Sequence, residues 1–274
     1  MNKLVQIGDF ADMLHPMASR WRALALLRAY FDESGTHGGL VTSIGGFIAS
    51  KESWVQFELD LATVLAPYAD KGVYDFHMTN CLAQKEQFSA IETPFINSIL
   101  WGIGKALNKA NVTAIYAGVV QKDWDSVVTN SPFKQRFPKP FYLCFEEVLR
   151  QLAMWSQKHG DGEPVAPIFA KQDEYQVHMG EVGECIDRSG KYKNLLTSIT
   201  FGKPSMIKPL QAADFAAHQM NGNINSLAYW KGLDNAGPTR VFDRATSSKY
   251  SHGGWYDKSA LQTVMKRFAT TGEI

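Results

Sequence analysis

Two kinds of apolar pattern alternate along this chain, and this alternation constrains the fold more than any other feature. β-type runs cover residues 24–32 and 40–49, and a glycine-containing turn between them predicts an antiparallel hairpin. Apolar residues spaced three or four apart then predict helices from the N-cap Ser50 to Pro67 and over 84–110. Because strands and helices continue to alternate, we expect an α/β fold with a mixed sheet and flanking helices.

The same patterns divide the rest of the chain. Strands are predicted over 112–120, 167–170 and 196–201, and helices over 138–158 and 174–188. Pro209 is expected to open a further helix, since its missing N–H is not needed in the first turn. We therefore expect a single domain over 1–274, with a core of about 24–220 and a less regular C-terminal extension over 221–274.

The composition is that of a globular protein with a neutral net charge. Apolar residues make up 45% and charged residues 20% of the 274 residues, which argues against disorder. A formal charge of +1 excludes binding of polyanions by bulk charge, so any basic surface is local. Three widely spaced cysteines predict neither a disulfide framework nor a thiolate zinc site. With no signal-peptide pattern and no long apolar run, a cytoplasmic location is expected.

Two adjacent acids, Asp32 and Glu33, end the first predicted strand. Successive side chains of a strand point to opposite faces, so only one of these acids can face a given site while the chain stays extended. We predict that Asp32 is the one that does so. The alternative interpretation is that Asp-Glu-Ser-Gly over 32–35 is a solvated turn.

A third acid, Asp214, lies in an apolar helical segment. Asp214 and His218 share one helical stripe with Leu210, Ala213 and Ala217, whose small side chains allow close packing on a sheet. A carboxylate on such a face needs a cation, which is either a basic side chain or a metal ion. A structural, salt-bridged aspartate is the alternative.

A fourth acid, Asp173, follows the predicted strand 167–170, although it could also cap the next helix. Together, Asp32, Asp173 and Asp214 offer hard oxygen ligands suited to Mg²⁺ or Mn²⁺. With two such ions bridged by Asp32, the set would support in-line attack on a phosphodiester by a two-metal mechanism.

Basic residues cluster along the chain between Asp173 and Asp214. The stretch 188–208 carries five positive and no negative side chains, which makes Arg188, Lys203 and Lys208 candidates for phosphate binding, or alternatively part of a solvated loop. His77, after an apolar run, is a secondary candidate for acid–base chemistry. A packing role is the alternative for both His77 and His218.

Two segments carry a resemblance to a known family. Residues 32–35 (Asp-Glu-Ser-Gly) and 209–214 (Pro-Leu-Gln-Ala-Ala-Asp) resemble the two hallmark motifs of the family called domain of unknown function 3800, over roughly residues 25–220. Members of this family resemble the ribonuclease H-like fold. Phe76-His77 is similar to the family's frequent histidine-containing segment.

The resemblance implies a metal-dependent nuclease-like site. Asp32, Asp173 and Asp214 match the positions of the family's acids, with Glu33 as a fourth candidate. The implied substrate is a nucleic acid, RNA or DNA. The alternatives are a non-catalytic nucleic-acid-binding or regulatory protein on the same fold, with the acids paired to Arg28 or Lys171, and a hydrolase of small phosphate esters.

Overall fold

The computed structural model describes residues 27–171, 195–196, 199–230, 251–272 and 274. Within these ranges six strands form one sheet: β1 (Leu27–Ser34), β2 (Val41–Ala49), β3 (Thr113–Val120), β4 (Val165–Ala170), β5 (Thr200–Gly202) and β6 (Ser251–Tyr256). The α-helices are α1 (Lys51–Leu65), α2 (Met78–Ala83), α3 (Thr93–Lys109), α4 (Gln121–Val127), α5 (Phe133–Arg136), α6 (Pro140–His159), α7 (Pro209–Trp230) and α8 (Lys258–Thr271). The predicted helix over 174–188 lies outside the described residues.

The sheet is mixed, with the strand order β5-β4-β1-β2-β3-β6. β1, β2 and β3 form an antiparallel meander. On one side β4 and β5 add parallel to β1, and on the other β6 adds parallel to β3. The predicted α/β class with an N-terminal antiparallel hairpin is confirmed.

Helices cover both faces of this sheet. α7 packs on β1 and β2 on one face, and α6 packs on β2 and β3 on the other. The alternation of β1 divides the apolar core between the two faces: Tyr30 belongs to the cluster on the α7 side, and Phe31 to the cluster on the α6 side. Even-numbered side chains of β1 therefore lie near α7, and odd-numbered ones lie near α6.

Several elements form where the local sequence predicts them. Ser50 caps α1 by accepting a hydrogen bond from the Ser53 amide at 3.3 Å, and the apolar stripe after it is buried. β4 is buried throughout and β3 is buried except for the half-buried Tyr116, and Pro140 and Pro209 lie in the first turns of α6 and α7. The strand predicted over 196–201 is formed as β5 together with an isolated bridge from Leu196 to Val165.

The prediction of a single helix over 84–110 is wrong for residues 84–92. Residues Glu86–Phe88 form a short 3-10 turn, and the α-helix begins only at Thr93. Pro94 explains the break, because proline lacks the N–H that a continuing helix needs and is tolerated only in the first turn. Phe88 and Ile91 are still buried, whereas Phe95, expected in the core, is 44% exposed.

The C-terminal segment is more regular than its composition indicates. α7 continues to Trp230, and beyond the undescribed residues 231–250 the chain adds β6 to the sheet edge. α8 follows with Asp257 as its N-cap, which accepts from the Ala260 amide at 3.0 Å, and contacts α4 and α5. The region predicted as a less regular extension thus contributes a sheet strand. Among the described residues, no helix combines the length and hydropathy needed to cross a membrane.

Candidate active site

Asp32 and Glu33 lie near the C-terminal end of β1, in the middle of the sheet. Their partners on β2 are Gly45 and Ile44. The alternation of β1 places Asp32 on the same face as Tyr30, which is the α7 face, and Glu33 on the α6 face. Both acids line a small pocket with Phe141 and Phe169. The two residues are joined by a hydrogen bond from the Glu33 backbone amide to Asp32 Oδ1 at 2.9 Å.

Gly45 allows α7 to approach the sheet beside Asp32. A Cβ added to Gly45 would lie 2.9 Å from Cα and 3.0 Å from the backbone nitrogen of Ala217, both of which belong to the rigid helix backbone. Ala213 and Ala217 are themselves fully buried against the sheet. This stripe of small residues places Asp214, one residue after Ala213, over the end of β1.

We predict that Gly45→Ala destabilises the protein by about 1–3 kcal/mol, because overpacking a backbone contact forces α7 to shift. Urea unfolding measures the change. The matched control is Gly222→Ala on the same helix, where an added Cβ meets nothing within 4 Å, so helix propensity should make this variant up to about 1 kcal/mol more stable. Equal effects of the two substitutions would contradict the packing argument.

Asp214 joins α7 to the start of α2. Its Oδ2 atom accepts a hydrogen bond from the Met78 amide at 2.7 Å. Met78 is buried, and the preceding residue, His77, is the N-cap of α2, with its Nδ1 atom accepting from the Asn80 amide at 3.4 Å. The hydrogen bond to Met78 places the exposed His77 side chain next to the carboxylate.

Gln211, one turn before Asp214, fixes the same segment. Its side chain is buried, its Oε1 atom accepts from the Phe76 amide at 2.8 Å, and its Nε2 atom donates to Asp75 Oδ1 and to the Pro204 carbonyl, each at 3.0 Å. Lys208, a further turn back, donates to the Tyr74 carbonyl at 3.1 Å and forms an ion pair with Asp75. One face of α7 therefore holds the whole segment 74–78 in register.

Replacing Gln211 by alanine should lower the free energy of unfolding by about 2–4 kcal/mol, since it leaves a buried amide N–H without its acceptor and opens a cavity. Chemical unfolding of the full chain tests this. Gln56→Ala is a suitable control because Gln56 makes one side-chain hydrogen bond, to Asp60 on the surface of α1, and should cost less than about 1 kcal/mol. A loss for Gln211→Ala no larger than that for Gln56→Ala would contradict the assigned role.

The carboxyl groups of Asp32, Glu33 and Asp214 all have a raised pKa, and burial is the largest cause for each of them. Burial raises the pKa of Asp32 well above its ordinary value, and the negative charges of Glu33 and Asp214 add to this effect. Burial raises the pKa of Glu33 to about 7. Burial also raises the pKa of Asp214, against the opposing influence of the Met78 amide and of His77 and His218. The site is thus strongly negative when all three groups are ionised.

Within the described residues no lysine or arginine forms an ion pair with Asp32, Glu33 or Asp214. Pairing of Asp32 or Asp214 with Arg28 or Lys171, as in the competing interpretation of the sequence, is therefore not found, whereas Asp173 lies outside the described residues. His218 is half-buried, and its burial lowers its pKa while Asp214 raises it. The neutral imidazole leaves the carboxylates without a full positive charge from that side.

The three basic residues predicted to bind phosphate, Arg188, Lys203 and Lys208, differ in their surroundings. Lys208 forms an ion pair with Asp75, and its binding of phosphate stays a prediction. Lys203 is exposed and, in the ranges described, makes no ion pair. Arg188 lies outside the described residues.

Asp173 also lies outside the described residues, so its predicted convergence with Asp32 and Asp214 stays a prediction. The structure does show that β4, which ends at Ala170, runs parallel to β1 with Phe169 opposite Phe31. The end of β4 therefore lies at the same sheet edge as Asp32, three residues before Asp173. Among the described residues alone, no group of three or more metal-ligating side chains is complete.

Sequence reasoning overlooked Gln211 and Cys81. Gln211 could have been noticed as a lone amide one turn before Asp214 on an apolar helix. Its partners Phe76 and Asp75, 135 and 136 positions away, could not be predicted. Cys81 is buried in α2, where burial, with the charge of Asp214 adding, raises its pKa to about 12. Its thiol is therefore part of the wall around Asp214 and stays protonated at neutral pH.

Comparisons of the chain with protein-family models, with curated proteins and with solved structures find no match.

Proposed function

We propose that this chain is a divalent-metal-dependent hydrolase that cleaves phosphodiester bonds in nucleic acid. The proposal is supported by the packing of α7 on β1, which brings Asp214 near enough to Asp32 and Glu33 for its charge to raise the pKa of both, while in the described part of the chain no lysine or arginine forms an ion pair with these acids. Uncompensated buried carboxylates are costly, and a divalent cation is the partner that removes this cost.

A ribonuclease H-like architecture is part of the proposal. It is supported by the antiparallel meander β1–β2–β3 and by the addition of β4 and β5, both parallel, on the other side of β1. In an α/β sheet of this kind, ligands bind beyond the carboxyl ends of the strands, which is where Asp32 lies.

The donor set fits Mg²⁺ or Mn²⁺. Carboxylate oxygens are the hard ligands these ions prefer, and the described residues supply Asp32 and Asp214, with Glu33 beside them and Asp173 as the proposed further ligand. Bound there, the ions would supply Lewis acidity and lower the pKa of a water molecule. The chain itself orients Asp214 through the Met78 amide and keeps His77 next to it, where the unbonded Nε2 atom can carry or release a proton.

The test is cleavage of labelled single-stranded, duplex and hybrid nucleic acid by the full chain with Mg²⁺ or Mn²⁺, in parallel with the melting temperature. We expect both ions to raise the melting temperature and at least one substrate to be cut, and Asp32→Asn to abolish both effects. No metal-dependent stabilisation and no cleavage would refute the proposal and favour the non-catalytic interpretation.

A further inference from the structure

Gln211 on α7 holds together two loops, residues 74–77 and 203–206, and the first of them leads into Met78, whose amide donates to Asp214. Gln211 Nε2 lies 3.0 Å from both Asp75 Oδ1 and the Pro204 carbonyl, so the loops lie side by side. Lys208 adds a second link through the Tyr74 carbonyl. We call residues 74–77 together with 203–206 the paired loops.

The paired loops expose apolar surface that the fold does not use. Tyr74 is 66% and Met206 63% exposed, which places them among the most exposed large apolar side chains of the described residues. The fold holds Tyr74 through its backbone carbonyl, and its ring is left to solvent. Lys203, exposed and without an ion pair in the described ranges, supplies a positive charge on the same loops.

The position of Tyr74 relative to Asp214 indicates what this surface could bind. Tyr74 lies four residues before Met78, whose amide donates to Asp214 Oδ2, and consecutive Cα atoms are about 3.8 Å apart, so the Tyr74 and Met78 Cα atoms are at most about 15 Å apart. A strand with one phosphate at the carboxylates therefore has a neighbouring nucleotide within reach of the Tyr74 ring.

We propose that the paired loops bind single-stranded nucleic acid, with an unpaired base stacked on Tyr74 and a backbone phosphate on Lys203. This inference rests on the proposed function for its location and names the substrate class of the same site. An aromatic ring can stack on an unpaired base, whereas the faces of duplex bases are already covered by their neighbours. Met206 extends the apolar platform, and Lys203 offsets the repulsion between phosphate and carboxylates.

The test is fluorescence anisotropy of a labelled strand of about twelve nucleotides, and of the matching duplex, with the full chain in a chelator so that binding is separated from cleavage. We expect the single strand to bind at least about tenfold more tightly than the duplex, and Tyr74→Ala to weaken single-strand binding about tenfold. Tyr74→Phe should retain the affinity, and Lys203→Ala should reduce the salt slope by about one.

The matched control is Trp101→Ala, which removes an exposed aromatic side chain from α3, a helix that packs on α1, and should not change binding. Unchanged binding by Tyr74→Ala, or equal affinity for the duplex, would overturn the inference. A Mn²⁺ titration of the melting temperature keeps the two proposals apart. Stabilisation by Mn²⁺ without strand binding overturns the inference alone, whereas Tyr74-dependent strand binding without any Mn²⁺ effect supports it and refutes the hydrolase.

Discussion

Asp214→Asn should abolish stabilisation by Mn²⁺ and lower phosphodiester cleavage at least about 100-fold, yet leave the metal-free protein as stable as the wild type or more so. The physical reason is that burial of Asp214 raises its pKa, so that its ionised form is disfavoured in the fold. Asparagine has a similar shape, can still accept the hydrogen bond from the Met78 amide, and carries no charge.

Thermal unfolding with and without Mn²⁺ measures both effects. At a Mn²⁺ concentration of about 100 times its Kd, the wild type should gain about 2.7 kcal/mol. Asp75→Asn is the matched control, because Asp75 is a neighbouring acid that is already paired with Lys208. It should lose a little stability and keep the Mn²⁺ effect. An Asp214→Asn variant that is less stable without metal, but fully stabilised by Mn²⁺, would show that Asp214 has a structural role only.

The second large effect is a loss of metal-free stability as the pH rises. Burial raises the pKa of Glu33 to about 7 from an unfolded value of about 4.5, so between these values the folded state binds more protons than the unfolded state. Stability therefore falls as the pH rises through this window, by on the order of 3 kcal/mol for Glu33 alone. Asp32 and Asp214, whose pKa values are also raised, act in the same direction.

Urea unfolding in a chelator at about pH 5 and about pH 8 measures this loss, and Glu33→Gln should remove most of the share due to Glu33. Glu58 on α1 provides the control, since its burial also raises its pKa to about 7, although it does not belong to the carboxylate site. Glu58→Gln should flatten the pH dependence as well, but leave the stabilisation by Mn²⁺ unchanged. If the stability of Glu33→Gln changed with pH as much as that of the wild type, the assignment would be contradicted.

A helix or strand could be predicted where the residues of that segment themselves decide its structure, and not where contacts with distant residues decide it. The hairpin β1–β2, the strand β3 and the helices α1 and α6 have periodic apolar residues and clear ends, such as Ser50 and Pro140, and they form as expected. The helix predicted from residue 84 was wrong because a correct apolar spacing at Phe88 and Ile91 was given more weight than Pro94. β6, with two glycines in six residues, carries no strong strand pattern and pairs only because β3 leaves an edge for it.

The sequence by itself determined which residues are candidates for the chemistry, because an acid in an apolar strand or helix, such as Asp32 or Asp214, is unusual whatever the tertiary structure. It could not determine which acids meet, because that depends on strand order, on the approach of α7 at Gly45, and on the hydrogen bonds from Gln211 and Asp214 to residues more than 130 positions away. Nor could it show that Lys208 would be paired with Asp75 while Lys203 stays exposed. Local side-chain chemistry can be read from a chain, whereas distances and pairings between remote residues arise only when the sheet and α7 pack together.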